Sequence, residues 1–169
     1  MPHVAVDPVV AAASIVMALQ TIVSRNADPQ KMAIVTVAAR HAGKANNVIP
    51  DSAVLEISVR SLDRELRKLI ENRIRAIVSA QAESFGVKAD IDYREGYAVL
   101  VNTPEETEFA RQVGRTLVGD ENVVPQGNAL TASEDFAFML EKRPGCYLFI
   151  GNGTHQAHGG CEVHNPGYD

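Results

Sequence analysis

Three stretches of this sequence carry side chains able to do chemistry. The first, HAGKANNVIPDSAVLEISVR from His41 to Arg60, sets two adjacent asparagines in a polar, Gly-containing bend and ends on an arginine. Asn47 offers a planar amide and Arg60 a planar guanidinium, a combination suited to gripping a carboxylate through charge-assisted hydrogen bonds. The competing reading is a surface strand with a solvated arginine and an Asn-rich turn. The second stretch, GNGTHQAHGGCEVHNPGYD, holds His155, His158, Cys161 and His164, each three residues after the last. Imidazole and thiolate are good zinc ligands. The run is Gly-rich rather than helical, however, and four donors so close together would strain a tetrahedral shell, so a loop of solvated histidines competes with a metal site. The third is SEDFAF, where Glu134 and Asp135 adjoin; a helix start explains paired acids as simply as catalysis does.

These groups must be positioned by elements legible in the pattern. Pro50 cannot donate to a central ladder and Asp51 favours a turn, which puts the asparagines in a bend. From Ala53 the sequence alternates, with Leu55, Ile57 and Val59 on one face and Glu56, Ser58 and Arg60 on the other. Arg60 is therefore expected on the polar face of a half-buried strand, antiparallel to a β-branched strand over Met32 to Ala39. Upstream, Asp7 and Pro8 open a helix that carries Val9, Ala12, Val16, Leu19 and Val23 on one stripe. Downstream, a helix capped by Asp63 presents Leu66, Leu69, Ile70, Ile74, Ile77 and Val78 and stops at Gly86, and Val87 to Tyr93 alternates as a third strand. The order helix, strand, strand, helix, strand is one strand short of the split β-α-β arrangement.

Beyond Gly96, Thr103 with Glu106 reads as a capping box before a stripe of Phe109, Val113 and Leu117, and Thr131 with Glu134 as a second box. Cys146 to Ile150 is a continuous apolar run, the pattern of a strand buried on both faces. Gly151 follows it, at the strand's carboxyl end, where α/β sheets bind ligands.

The chain has 169 residues and a net charge of −5 with its basic residues dispersed, which argues against nucleic acid and a membrane surface as partners. No apolar run is expected to reach the length of a membrane span, the amino terminus lacks a signal-peptide pattern, and two cysteines make no disulfide framework. A cytoplasmic protein is expected.

Taken together, DPVVAAASIV, HAGKANNVIPD, the strand arginine, SEDFAF, PGCYLFIGNG and VHNPGYD, in that order, resemble the hippurate hydrolases and aminoacylase-like amidohydrolases, relatives of the two-zinc carboxypeptidases. The resemblance implies an α/β protein: a ferredoxin-like α+β lid domain over residues 1–95 with its first strand missing, then over 96–169 the carboxy-terminal remnant of a zinc-peptidase-like α/β catalytic domain. It implies that Asn47 and Arg60 hold the substrate carboxylate, reaching into a partner subunit's site, that His41 approaches the substrate from the lid as a catalytic group, that Gly151 lines the substrate pocket and that His164 is a late metal ligand. Two divalent ions, zinc or manganese, are expected in the full-length protein, with N-acyl amino acids as substrates and a homodimer formed through the lid. The upstream Cys-Gly-His-Asp type motif and the Glu pair are absent here, so this chain alone is expected to be inert. A non-catalytic dimerisation or lid module is the alternative, and a small metal-binding protein built on His155 to His164 a third.

Overall fold

The computed structural model describes residues 2–124, 126–153, 160–161 and 164–166, and the chain divides into two units, Met1–Val99 with Ala129–Ser133, and Leu100–Asn128 with Glu134–Asp169. In the first unit, α1 spans Pro8–Thr21. Its start is built as the sequence predicts: the Asp7 carboxylate accepts from the amides of Val9 at 2.8 Å and Val10 at 3.3 Å, and Pro8 fills the first position. The helix widens into a π turn, Ile22–Asn26, closed by the Ala27 amide on the Ile22 carbonyl.

The buried stripe of α1 is Ala11, Ala12, Ile15 and Leu19, continuing to Ile22. It is rotated from the expected one, and Val23 lies at the surface. The cause is composition: α1 is apolar almost all round, so periodicity alone does not select a face. The same composition corrects the expectation about apolar length. Pro8–Asn26 is long and apolar enough to cross a membrane by length and composition, although here its inner stripe packs on a sheet.

Strand β1, Ala33–Ala42, pairs antiparallel with β2, Ala53–Ser61. Leu55, Ile57 and Val59 turn inward and Glu56, Ser58 and Arg60 outward, as the alternation requires. Asp63 caps α2, Arg64–Ser84, through the Leu66 amide at 2.7 Å, and Gly86 in the left-handed region follows the helix end. Ile15, Leu19, Ile22, Val35, Leu66, Ile70 and Ile74 form the core between both helices and one face of the ribbon. Ser14 donates to Gln81 at 2.5 Å, tying α1 to α2.

The predicted third strand is not formed. Val87, Ala89, Ile91 and Tyr93 are half-buried while Lys88, Asp90, Asp92 and Arg94 are exposed, so the face alternation survives, yet no ladder pairs these residues. A strand needs a neighbour for its amides and carbonyls, and among the described residues the sheet has only β1 and β2.

Among its described residues the second unit contains α3, Pro104–Val118, a 3-10 turn, Asp120–Asn122, and a short helix, α4, Phe136–Leu140. Neither predicted capping box forms. Thr103 stands at the cap of α3, but its hydroxyl accepts from the Gly145 amide at 3.0 Å and its own amide donates to the Gly145 carbonyl at 3.0 Å. The amide that Glu106 would bond is thus taken, and one buried Glu106 carboxylate oxygen has no hydrogen-bond partner among the described residues. The second box fails because α4 begins only at Phe136, too far along for Thr131 to cap it. Cys146 to Ile150 is not a ladder strand either. Asn102 substitutes for a neighbouring strand at one point only, its amide side chain bonding both the carbonyl and the amide of Tyr147, at 2.9 and 2.8 Å. Phe149 and Ile150 are 70% and 93% exposed, because a strand buried on both faces requires layers that these residues do not meet.

Candidate functional site

The hairpin formed by β1 and β2 positions His41, Asn47 and Arg60. Arg60 lies near the far end of β2, opposite Ile34, on the open face of the ribbon. Its guanidinium donates to the carbonyl of Thr131, in the short segment Ala129–Ser133 that belongs to the same unit. Nothing in the local pattern marks that partner, since the two residues are 71 positions apart.

Asn47 sits in the exposed loop between Ala42 and Ala53, at the other end of the hairpin. From Ala53 to Arg60 the strand advances seven residues, on the order of 20 Å. This corrects the joint grip expected from sequence: one chain's Asn47 and Arg60 do not converge on one carboxylate. Thirteen positions of sequence separate the two residues, but a full strand length separates loop from arginine in space.

His41 is a residue of β1 rather than of the bend. It pairs with Val54, and its Nε2 lies 3.2 Å from Oε1 of Glu56. A bulge between Val37 and Ala39 leaves Ala38 unpaired, and the ladder beyond it places His41 on the open face, with Glu56 and Arg60. Sequence reasoning missed Glu56, whose only signal was its phase with Arg60.

The opposite edge of the hairpin is held by an ion pair. Lys31 Nζ lies 2.7 Å from Asp63 Oδ2. The Lys31 hydrogen bond, then the Leu66 amide, hold the Asp63 carboxyl below its usual range, and Asp63 in turn holds the Lys31 ammonium above its own.

In the second unit, a Cβ added at Gly151 would meet nothing within 4 Å, so no close approach there demands glycine. Asn152 bonds the carbonyl of Cys161 at 2.9 Å and accepts from the Gly160 amide at 3.0 Å through its own carbonyl. Three residues on, His164 is exposed with φ 67°, a left-handed backbone that non-glycine residues adopt seldom and often at functional positions. His155 and His158 lie outside the described residues. Glu134 faces Tyr147: desolvation first, then the charge and hydrogen bond of Glu134, push the tyrosine hydroxyl up. Tyr147 itself lies between Phe136, tilted at a centroid distance of 5.7 Å, and Phe149, edge-to-face at 5.2 Å. Glu134 and Asp135 stand at the start of α4, where the helix-start reading puts them, with Asp135 at its cap.

Among the described residues no three His, Cys, Asp or Glu side chains gather to hold a metal ion. His164 supplies one imidazole, and one imidazole does not fit a two-ion centre, so no chemical step through metal is derived from these residues.

Comparison with known proteins bears directly on this arrangement. The sequence model of peptidase family M20/M25/M40 matches residues 4–169. Hippurate hydrolase of Campylobacter jejuni is 41% identical over 151 residues, covering 89% of this chain and 39% of that protein. N-acetyl-L-cysteine deacetylase of Bacillus subtilis is 36% identical over 159 residues, 94% of this chain and 38% of the relative. The chain spans about two fifths of the length of these curated relatives. Among solved structures, the Bacillus subtilis YXEP protein, a dinuclear metal binding peptidase of the M20 family, superposes with a TM-score of 0.67 at 27% identity, over 83% of this chain and 35% of that one. A protein of methicillin-resistant Staphylococcus aureus gives 0.70 at 31%, over 85% and 37%.

Proposed function

The chain belongs to peptidase family M20/M25/M40, and from that premise we propose that it is the lid and carboxy-terminal part of a metal-dependent amidohydrolase that cleaves the amide bond of N-acyl amino acids of the hippurate type. The hippurate hydrolase and deacetylase relatives support the substrate class. The observation that carries the reading is Arg60, a guanidinium held on the open face of a strand whose other face is anchored in the core. An arginine fixed in this way recognises a carboxylate, the group every N-acyl amino acid retains.

Two ions, zinc or manganese, belong to the full-length protein, and this chain offers His164 toward them. Its own work is substrate handling: Arg60 binds the carboxylate, His41 approaches the substrate from the lid, and Gly151 lines the pocket. Asn47, a strand length from its own Arg60, serves the site of a second copy, which makes the active form a homodimer joined through the lid.

The unpaired segment from Val87 to Tyr93 supports a ferredoxin-like lid whose remaining strand comes from polypeptide other than β1 and β2. That strand would pair with Val87 to Tyr93 and satisfy its backbone. Cys146 and Cys161 are free thiols, which suits the cytoplasm.

Replacing Arg60 with alanine in the full-length enzyme tests the reading. KM for hippurate rises at least tenfold, the loss of one charged hydrogen-bonded contact, while hydrolysis of a carboxylate-free amide changes little. Equal effects on both would refute the role. The alternative is a non-catalytic dimerisation module. An assay on hippurate with added zinc or manganese, beside a sizing measurement, separates the two: dimer without turnover supports the module.

A further inference from the structure

His41 stands on a face that a regular strand would deny it. Counting alternate residues from Val35 and Val37, which point into the core, His41 falls inward. The unpaired Ala38 adds one residue to β1, and a one-residue shift exchanges the two faces of everything beyond it. His41 emerges on the open side, directly across from Val54 and diagonal to Glu56. Diagonal pairs of this kind lie within reach of long side chains, and here the carboxylate meets the ring, with Glu56 Oε1 3.2 Å from Nε2.

Both side chains are about two thirds exposed, at 65% and 64%. A contact so open to water contributes little to stability. Its effect is local: it ties one nitrogen of the imidazole and so selects the direction in which the other edge of the ring points.

We propose that Glu56 is a positioning residue for His41, fixing the imidazole over the open face that the Ala38 bulge has given it. The use of that ring in catalysis rests on the function proposed above; the positioning itself does not. Glu56 acts through His41.

Two measurements separate the claims. In the labelled chain, three-bond couplings and ring-proton contacts by nuclear magnetic resonance should report one His41 χ1 rotamer close to Glu56. Glu56→Ala should average the rotamers, and Glu56→Gln, which keeps an acceptor oxygen, should restore the single one. An unchanged His41 rotamer in Glu56→Ala overturns the positioning role. In the full-length enzyme, Glu56→Ala should lower kcat on hippurate about threefold, the scale of one exposed polar contact, with KM unchanged and Glu56→Gln recovering most of the loss. Averaged rotamers with unchanged kcat would uphold the positioning and refute the catalytic use of His41.

Discussion

Asn47 and Arg60 occupy opposite ends of one hairpin, with seven residues of β2 between Ala53 and the arginine. If both serve one substrate carboxylate, they do so from different copies of the chain. Mixing full-length Asn47→Ala with full-length Arg60→Ala tests this. Each variant alone has both sites impaired, whereas a hybrid dimer contains one site with both wild-type residues. Statistical exchange predicts recovery to roughly a quarter of wild-type activity for a two-fold dimer. No recovery in a mixture shown to exchange subunits would rule out the shared site.

The α2 register predicts a contrast between neighbours. Ile70 is fully buried in the core, while Leu69 is 38% exposed. Ile70→Ala should destabilise the first unit by about 2–5 kcal/mol in urea unfolding. Leu69→Ala should cost well under half of that. Equal losses would mean that the helix is rotated from the face described.

The Lys31–Asp63 pair makes stability depend on pH in a definite direction. The Asp63 carboxyl is depressed, so its contribution is present above the ordinary carboxylate range and disappears as pH falls through the depressed value. The Lys31 ammonium is raised, so its contribution is present below the ordinary lysine value and disappears as pH rises through the raised one. Thermal melts of the wild type and Asp63→Ala should therefore differ at neutral pH and converge in strong acid. A gap that persists there would assign the effect to packing rather than to the charge.

Sequence periodicity predicted most of what the structure builds from local rules. The Asp7 and Asp63 caps, the outward face of Arg60 and the α2 stripe apart from Leu69, which lies at the surface, depend on residues within a few positions of one another, and they are present. The α1 stripe shares Ala12 and Leu19 with the expected one but takes Ile15 and Ile22 in place of Val16 and Val23, because an almost wholly apolar helix offers several equivalent faces. Val87 to Tyr93 and Cys146 to Ile150 have strand composition, but a strand is a property of two segments and the local pattern holds only one. The candidate site divides in the same way. Arg60 and Asn47 were visible as chemistry, whereas their separation depended on strand length. The Thr131 contact joins residues far apart in sequence, and the Glu56 partnership required a bulge at Ala38 that no glycine or proline announces.

The segment CYLFI, from Cys146 to Ile150, combines β-prone apolar residues with neither charge nor proline, and its last two side chains stand in water. Segments of that length and character stack readily on copies of themselves. Wherever this surface is left uncovered, protein concentration rather than heat should set the limit of solubility, and a single lysine in place of Ile150 should raise it.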